Sequence, residues 1–530
     1  TSIGEKAFDG CSSLRNIQVS EANQNYCSVD GALYDKSKET LIMVFQNGIG
    51  KFVIPESVTT IEDNAFKDCQ NLTNIVIPNS VKKIGRWAFE GCKSLTNVVI
   101  PEGVTEIEYA AFSGCQSLAN ISIPASVKQI RGDVLKGCDR LESIKVSDAN
   151  PNYCSVDGVL FDKSKKNLIV YPKKKKGKFA IPEGITEIDE TIFSNSEGLT
   201  SVIIPNSVKK IGERTFANCK NLKSVVIPNS VTEIGGEAFS GCASLSNIVV
   251  PNRVKKIEDG TFNGCQNLTA ITLPDSVTEI GSRAFRWCSN LSSITLPNSV
   301  TTIESEAFSG CASLSNIVIP NKVKKIEDGT FYECKNLTKV TLPDSVAEIG
   351  AKAFDGCQNL TSVTIPNRVK YIGNSAFEGC RNLTDITIPN SVTVIGRYAF
   401  YTCTGLTSVT ISDSVTLIGD CAFARCTSLE SFKIPKSVGV INEELFKGCQ
   451  KLTSITMHEG ITKIEEGAFG DCQSLTNIVI PNSVTEMGEQ VFSGCLKLNS
   501  VTLSSNTKKI EKETFMDCVG LSNITIPNSV

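Results

Sequence analysis

From Cys219 to Cys518 a cysteine recurs every 23 residues without a slip, through Cys242, Cys265, Cys288, Cys311 and onward. All but five of the 24 phenylalanines lie three residues before that cysteine or its substitute, as in Ala88-Phe89-Glu90-Gly91-Cys92. A fixed period of this length marks a stack of equivalent supersecondary units, not a set of globules. Two steps are longer: Cys11 to Cys69 and Cys138 to Ser196 each span 58 residues, which is 23 plus an insertion of 35. Without the two insertions, at 20–54 and 147–181, the 530 residues reduce to 460, or 20 units of 23. The spacing therefore predicts one continuous solenoid over 1–530. Its ends at Thr1-Ser2-Ile3-Gly4 and Ile526-Pro527-Asn528-Ser529-Val530 fall inside units, so it reads as an excerpt lacking both caps.

A typical unit runs from Ile77 to Val99. Its end, L-x-x-I-x-I, alternates apolar residues at period 2 and is stopped by proline, the pattern of a short strand. V-x-x-I-G reads as a second, shorter strand, and A-F-x-x-C-x-x-L has the spacing of one helical or 3₁₀ turn. About six large apolar side chains per unit contribute roughly 1.5 to 3 kcal/mol each on burial. Ordering the backbone costs about 1 to 2 kcal/mol per residue. The second sum exceeds the first, so a unit is stable only when stacked on neighbours.

The repeated L-T-N-I-V-I-P-N-S-V-x-x-I-G-x-x-A-F-x-G-C resembles the BspA-like class of leucine-rich repeats along the whole chain. The insertions resemble a companion of that class: Asn25-Tyr26-Cys27-Ser28-Val29-Asp30-Gly31 recurs as Asn152-Tyr153-Cys154-Ser155-Val156-Asp157-Gly158. The resemblance implies a right-handed leucine-rich-repeat solenoid of short parallel strands. It also implies a secreted or cell-surface, adhesin-like protein whose partners are host or neighbouring-cell surface or matrix glycoproteins, with no catalytic residues and no cofactor. Leu135 in a Phe slot, Ser196 in a Cys slot, and Ser412, His458 and Ser504 in Pro slots depart from the pattern without breaking register.

Composition narrows the function. A formal charge of −3 gives no electrostatic reason to hold nucleic acid or an anionic membrane. The single histidine, His458, excludes any site needing two imidazoles, and in a Pro slot it reads as a surface turn residue. Of 22 cysteines, 19 occupy the repeat slot; Cys27, Cys154 and Cys421 do not. Stacked equivalent positions hold Cβ vectors parallel, so the slot reads as buried free thiols, not disulfides or a metal string. Cys421 replaces residues such as Asn64 or Trp87 and is expected to be exposed. The adjacent pairs Glu443-Glu444 and Glu465-Glu466 have no nucleophile nearby, and no phosphate loop, nucleophile elbow or calcium loop is present.

Binding surfaces in solenoids run across coils, so each column of the repeat is the natural unit of reading. The residue seven after each Cys slot is mostly Thr or Val, an exposed β-branched ladder suited to a flat sheet. The residue five after Pro alternates in charge, as in Glu187, Lys210, Glu233, Lys256 and Glu279. For four successive coils that column is apolar: Tyr371, Val394, Leu417 and Val440, with Tyr398 and Tyr401 close in sequence. These six are the candidate protein-binding residues. Arg131-Gly132-Asp133 spells an integrin-type tripeptide in the turn after Ile130, and the run Lys173 to Lys176 reads as a solvated loop corresponding to Gln46-Asn47-Gly48-Ile49. Two rival readings are a structural spacer that binds nothing and an intracellular protein-interaction scaffold.

Overall fold

A computed structural model describes residues 2–530 apart from 5, 6, 9, 10, 12, 13, 15 and 46–49. The segment 46–49, compared above with the lysine run, thus lies outside the described residues. The chain divides into two compact units, Thr1–Pro228 and Asn229–Val530. Both are parallel-strand solenoids with 23 residues per turn.

In the first unit, Lys51–Val53, Asn74–Val76, Asn97–Val99, Asn120–Ile123 and Ser143–Val146 make a five-stranded parallel sheet. The shorter strands Thr60–Ile61, Lys83–Ile84, Glu106–Ile107 and Gln129–Ile130 form a second parallel ladder. In the second unit the same two ladders recur, for example Asn247–Val249 with Ala270–Thr272 and Lys256–Ile257 with Glu279–Ile280. Every such pair joins residues 23 apart, so the sequence period is the strand register itself.

The core is the set of apolar slots read from the sequence. Val81, Ile84, Ala88, Phe89, Cys92, Leu95 and Val98 are all within 1% of full burial. Down the second unit the Phe column stacks from Phe239 to Phe515, ring centroids 5.2 to 6.1 Å apart and planes within 14° of parallel.

The expected helical turn is not formed: among the described residues no helix occurs. A-F-x-x-C-x-x-L is instead a chain of i→i+3 turns, in which Glu90 N donates to Trp87 O and Cys92 N to Phe89 O. The intervening amides Trp87 N, Phe89 N and Gly91 N donate to Tyr109, Ala111 and Ser113 of the following coil. Trp87 (φ 52°) and Gly91 (φ 72°) are left-handed. A helix directs every amide back along its own axis. Here every second amide serves the neighbouring coil, and the left-handed residues turn it that way.

Each insertion is an antiparallel meander. Tyr26–Val29, Ala32–Asp35 and Thr40–Val44 form the first, and the last of these also pairs parallel with Thr60–Ile61. Tyr153–Val156, Val159–Asp162 and Leu168–Val170 form the second. The shared N-Y-C-S string has a mechanical meaning. Tyr26 and Tyr153 hydroxyls accept from Ile3 N and Ile130 N at 3.0 and 2.8 Å, and Ser28 and Ser155 accept from Val19 N and Val146 N. The insertion thus satisfies backbone donors that the next coil would otherwise pair.

The lysine run is not a solvated loop. Lys173 is largely buried and donates to Ser194 O at 2.6 Å, Lys174 pairs with Glu197 at 2.6 Å, and Lys175 pairs with Asp157 at 2.8 Å. The Ile192 and Ser194 carbonyls draw Lys173 in and Asp157 draws Lys175 in, while Lys174 keeps a surface ion pair and Lys176 is exposed.

Candidate functional site

The short-strand ladder positions the candidate column. Tyr371 begins Tyr371–Ile372, Val394 begins Val394–Ile395 and Leu417 begins Leu417–Ile418, with Tyr371 opposite Val394 and Val394 opposite Leu417. The second residue of each strand points into the core, which turns the first outward. Leu417 is 48% exposed, and Tyr371, Val394 and Val440 are half-buried. Val440 begins Val440–Ile441, which pairs onward with Lys463–Ile464.

On either side the same column is ionic. Lys325 lies 3.2 Å from Glu348, one coil before Tyr371, and Lys463 lies 4.0 Å from Glu486 after Val440. Lys256 and Glu279 repeat the pattern at 3.8 Å. Exposed pairs like these are worth about 0 to 1 kcal/mol each. Their absence over four coils therefore costs the fold little and leaves an apolar strip.

Tyr398 and Tyr401 belong to the turn stack, not to the strand column. Their rings meet edge to face at 5.5 Å, and Arg425 lies over Tyr401 at 5.8 Å. The expected exposure of Cys421 is overturned. It is 6% exposed in a left-handed turn position, with its thiol between the Tyr398 hydroxyl and Glu444 Oε2. Burial, with Glu444 and Asp420 adding, pushes the thiol up to about 11, against the Tyr398 hydrogen bond. The larger neighbours on the adjacent coils cover a side chain that the column alone left open.

The repeat cysteines are free and, apart from the exposed Cys11, buried. They do more than fill space: Cys92 Sγ donates to Phe66 O at 3.1 Å and Cys311 Sγ to Phe285 O at 3.2 Å, each on the preceding coil. Burial raises these thiols well above their ordinary range. Among the described residues no group of three or more His, Cys, Asp or Glu is arranged to hold a metal, and no helix is long and apolar enough to cross a membrane.

Arg131 and Asp133 of the tripeptide both have partners within the chain. Arg131 Nε is 3.0 Å from Glu108 Oε2, and Asp133 accepts from Tyr109 at 2.9 Å and Lys136 at 3.3 Å. His458 is half-buried, its Nε2 on Pro435 O at 2.9 Å and its Nδ1 accepting from Gly460 N at 3.0 Å. The imidazole thereby rebuilds the turn that proline makes in other coils.

The model of the BspA type leucine-rich repeat region matches six times, over 1–35, 44–166, 171–291, 255–350, 324–453 and 439–530. Among solved structures, a leucine-rich repeat protein from Bacteroides ovatus ATCC 8483 is 28% identical with a TM-score of 0.56, covering 70% of this chain and 91% of that one. A leucine-rich cell surface protein from Faecalibacterium prausnitzii A2-165 is 29% identical with a TM-score of 0.37, covering 66% and 94%. A leucine-rich repeat protein from Eubacterium ventriosum ATCC 27560 is 23% identical with a TM-score of 0.42, covering 67% and 93%. No curated protein matches the chain. With the family model spanning nearly every coil and the parallel ladders repeating at its period, the chain belongs to the BspA-type leucine-rich repeat family.

Proposed function

We propose that the protein is a non-enzymatic, adhesin-like binding scaffold displayed outside the cell, and that it grips a protein partner through Tyr371, Val394, Leu417 and Val440. The observation that carries this reading is the interruption of an ionic column by four apolar residues on successive coils, flanked by Lys325–Glu348 and Lys463–Glu486. Contiguous apolar surface rimmed by charge is the usual form of a protein contact. Tyr398 and Tyr401 supply an aromatic edge on the turn stack of the same coils. Family membership supports an extracellular site of action, with matrix or cell-surface glycoproteins as the partner class.

A spacer that binds nothing is the second reading, favoured by the uniform exposed ladder that includes Val249, Thr272, Thr295 and Val318. The two are separated by surface plasmon resonance of the whole chain against immobilised extracellular-matrix glycoproteins. A Tyr371→Lys/Leu417→Lys variant is expected to lose at least tenfold in affinity, about 1.4 kcal/mol, with its melting temperature nearly unchanged. Parental binding by that variant rejects the strip, and no binding by the parent to any matrix glycoprotein favours the spacer.

A further inference from the structure

Three consecutive coils of the first unit place Arg86, Trp87, Tyr109, Arg131 and Gly132 around a concavity of about 450 Å³. Trp87 occupies the left-handed position five before the Cys slot. Among the described residues that column carries an aromatic only here and at Tyr398. The Tyr109 ring stands edge-on to Trp87 at 5.8 Å and 82°, so the two rings form a corner.

The walls are fixed before any ligand arrives. The Tyr109 hydroxyl donates to Asp133 Oδ2 at 2.9 Å, and Asp133 also holds Lys136. Arg131 Nε rests on the Glu108 carboxylate, which is only 6% exposed and also lies 3.8 Å from Lys83. Asp63 is engaged as well, accepting from the Arg86 amide at 2.7 Å. Among the described residues no carboxylate pairs with the Arg86 guanidinium, which is exposed at the rim beside Trp87. Preset walls lower the ordering cost of binding.

A half-exposed indole, a perpendicular phenol ring and an uncommitted guanidinium suit a small ring that is apolar on one face and anionic at its edge. The volume fits one or two such rings and is in the usual range for small-molecule sites. We infer that this concavity binds a carboxylate-bearing pyranose, with the C–H face of the sugar on Trp87 and its carboxylate on Arg86. A planar guanidinium meets a carboxylate through two parallel N–H donors, which fixes the orientation of the ring. Arg131, held by Glu108, faces the ring hydroxyls. This site lies in the first unit and does not depend on the apolar strip of the second.

The test is saturation-transfer NMR on the whole chain with two acidic probes, methyl β-D-glucuronide and the α-methyl glycoside of N-acetylneuraminic acid. Methyl β-D-glucopyranoside is the neutral control. Transfer to ring protons of at least one acidic probe is expected at millimolar concentration, with Arg86→Ala weakening binding on the order of tenfold. Gly132→Phe is the second variant. Gly132 lines the concavity and a Cβ there meets nothing within 4 Å, so a larger side chain at its wall starts from open space. It is expected to abolish transfer while the circular dichroism spectrum and melting temperature stay at parental values. The inference is overturned by absence of transfer from both acidic probes, by transfer that survives Gly132→Phe, or by the neutral glucoside binding as well as the glucuronide.

Discussion

Asp355 shows how much of a residue's behaviour the stack decides. Its carboxyl is pushed up to about 7, first by burial and then by Glu378 on the next coil, with Lys352 opposing. An unfolded aspartate titrates near 3.9. The folded state therefore holds the proton more tightly, and stability present below about pH 4 is lost as pH rises toward 7 and then stays lost. Asp355→Asn should raise stability at pH 8 by about 1 to 2 kcal/mol, after discounting for solvent access, and change little at pH 4. Thermal melts at both values read the difference. Ser196 makes a complementary case. It is fully buried in a Cys slot, and its hydroxyl has no partner, whereas the Cys69 thiol, which also follows an insertion, reaches Val44 O at 3.7 Å. Ser196→Ala is expected to stabilise by about 1 kcal/mol in urea titrations, since a buried unpaired hydroxyl is removed. The substitution was legible in the sequence. Its missing acceptor was not, because pairing depends on where the carbonyls of the preceding coil come to lie.

At the scale of the element, strands and core slots were legible because period 2 and the prolines mark them directly. The turn stack was misread because spacing of three and four residues is common to a helix and to successive i→i+3 turns. What separates them is a pair of left-handed positions per coil, and one of these accepts almost any side chain: Trp87, Lys352, Cys421 and Glu444 all occupy it. Two glycines allow the forces to be told apart. Gly379 is left-handed at φ 68°, and an added Cβ finds nothing closer than 3.7 Å, so Gly379→Ala should cost only the backbone term of about 1 to 2 kcal/mol. Gly396 has no left-handed requirement, but its Cβ would fall 2.6 Å from Asn374 N on the coil before. Gly396→Ala forces that backbone to move and should cost about 2 to 3 kcal/mol. Equal losses in denaturant titrations would mean that inter-coil spacing does not set the turn glycine.

For the molecule as a whole, stability in each unit is a sum over neighbouring coils. Removing residues 298–320 from the second unit joins Pro297 to Asn321 and deletes 23 residues, leaving every strand in register. That variant should fold with a circular dichroism spectrum like the parent's. Removing 22 residues instead shifts the strands by one, turns their inward side chains outward and should abolish cooperative melting. The repeat and the apolar strip were legible at this scale because each lies down one column. The concavity at Trp87 was not, since Trp87 and Tyr109 occupy different columns on successive coils and meet only diagonally.

The sulfur column carries a consequence for measurement. From Cys242 to Cys518 each coil of the second unit holds one repeat-slot thiol shielded from solvent, with Cys421 as a second on the coil of Cys426, and a thiol-directed reagent needs both access and the thiolate. Reaction at a given cysteine therefore waits for its own coil to open, and its rate at fixed pH reports the free energy of that opening. Mass spectrometry of the labelled chain would resolve those rates one coil at a time, so the protein carries a native ruler of local stability graduated every 23 residues.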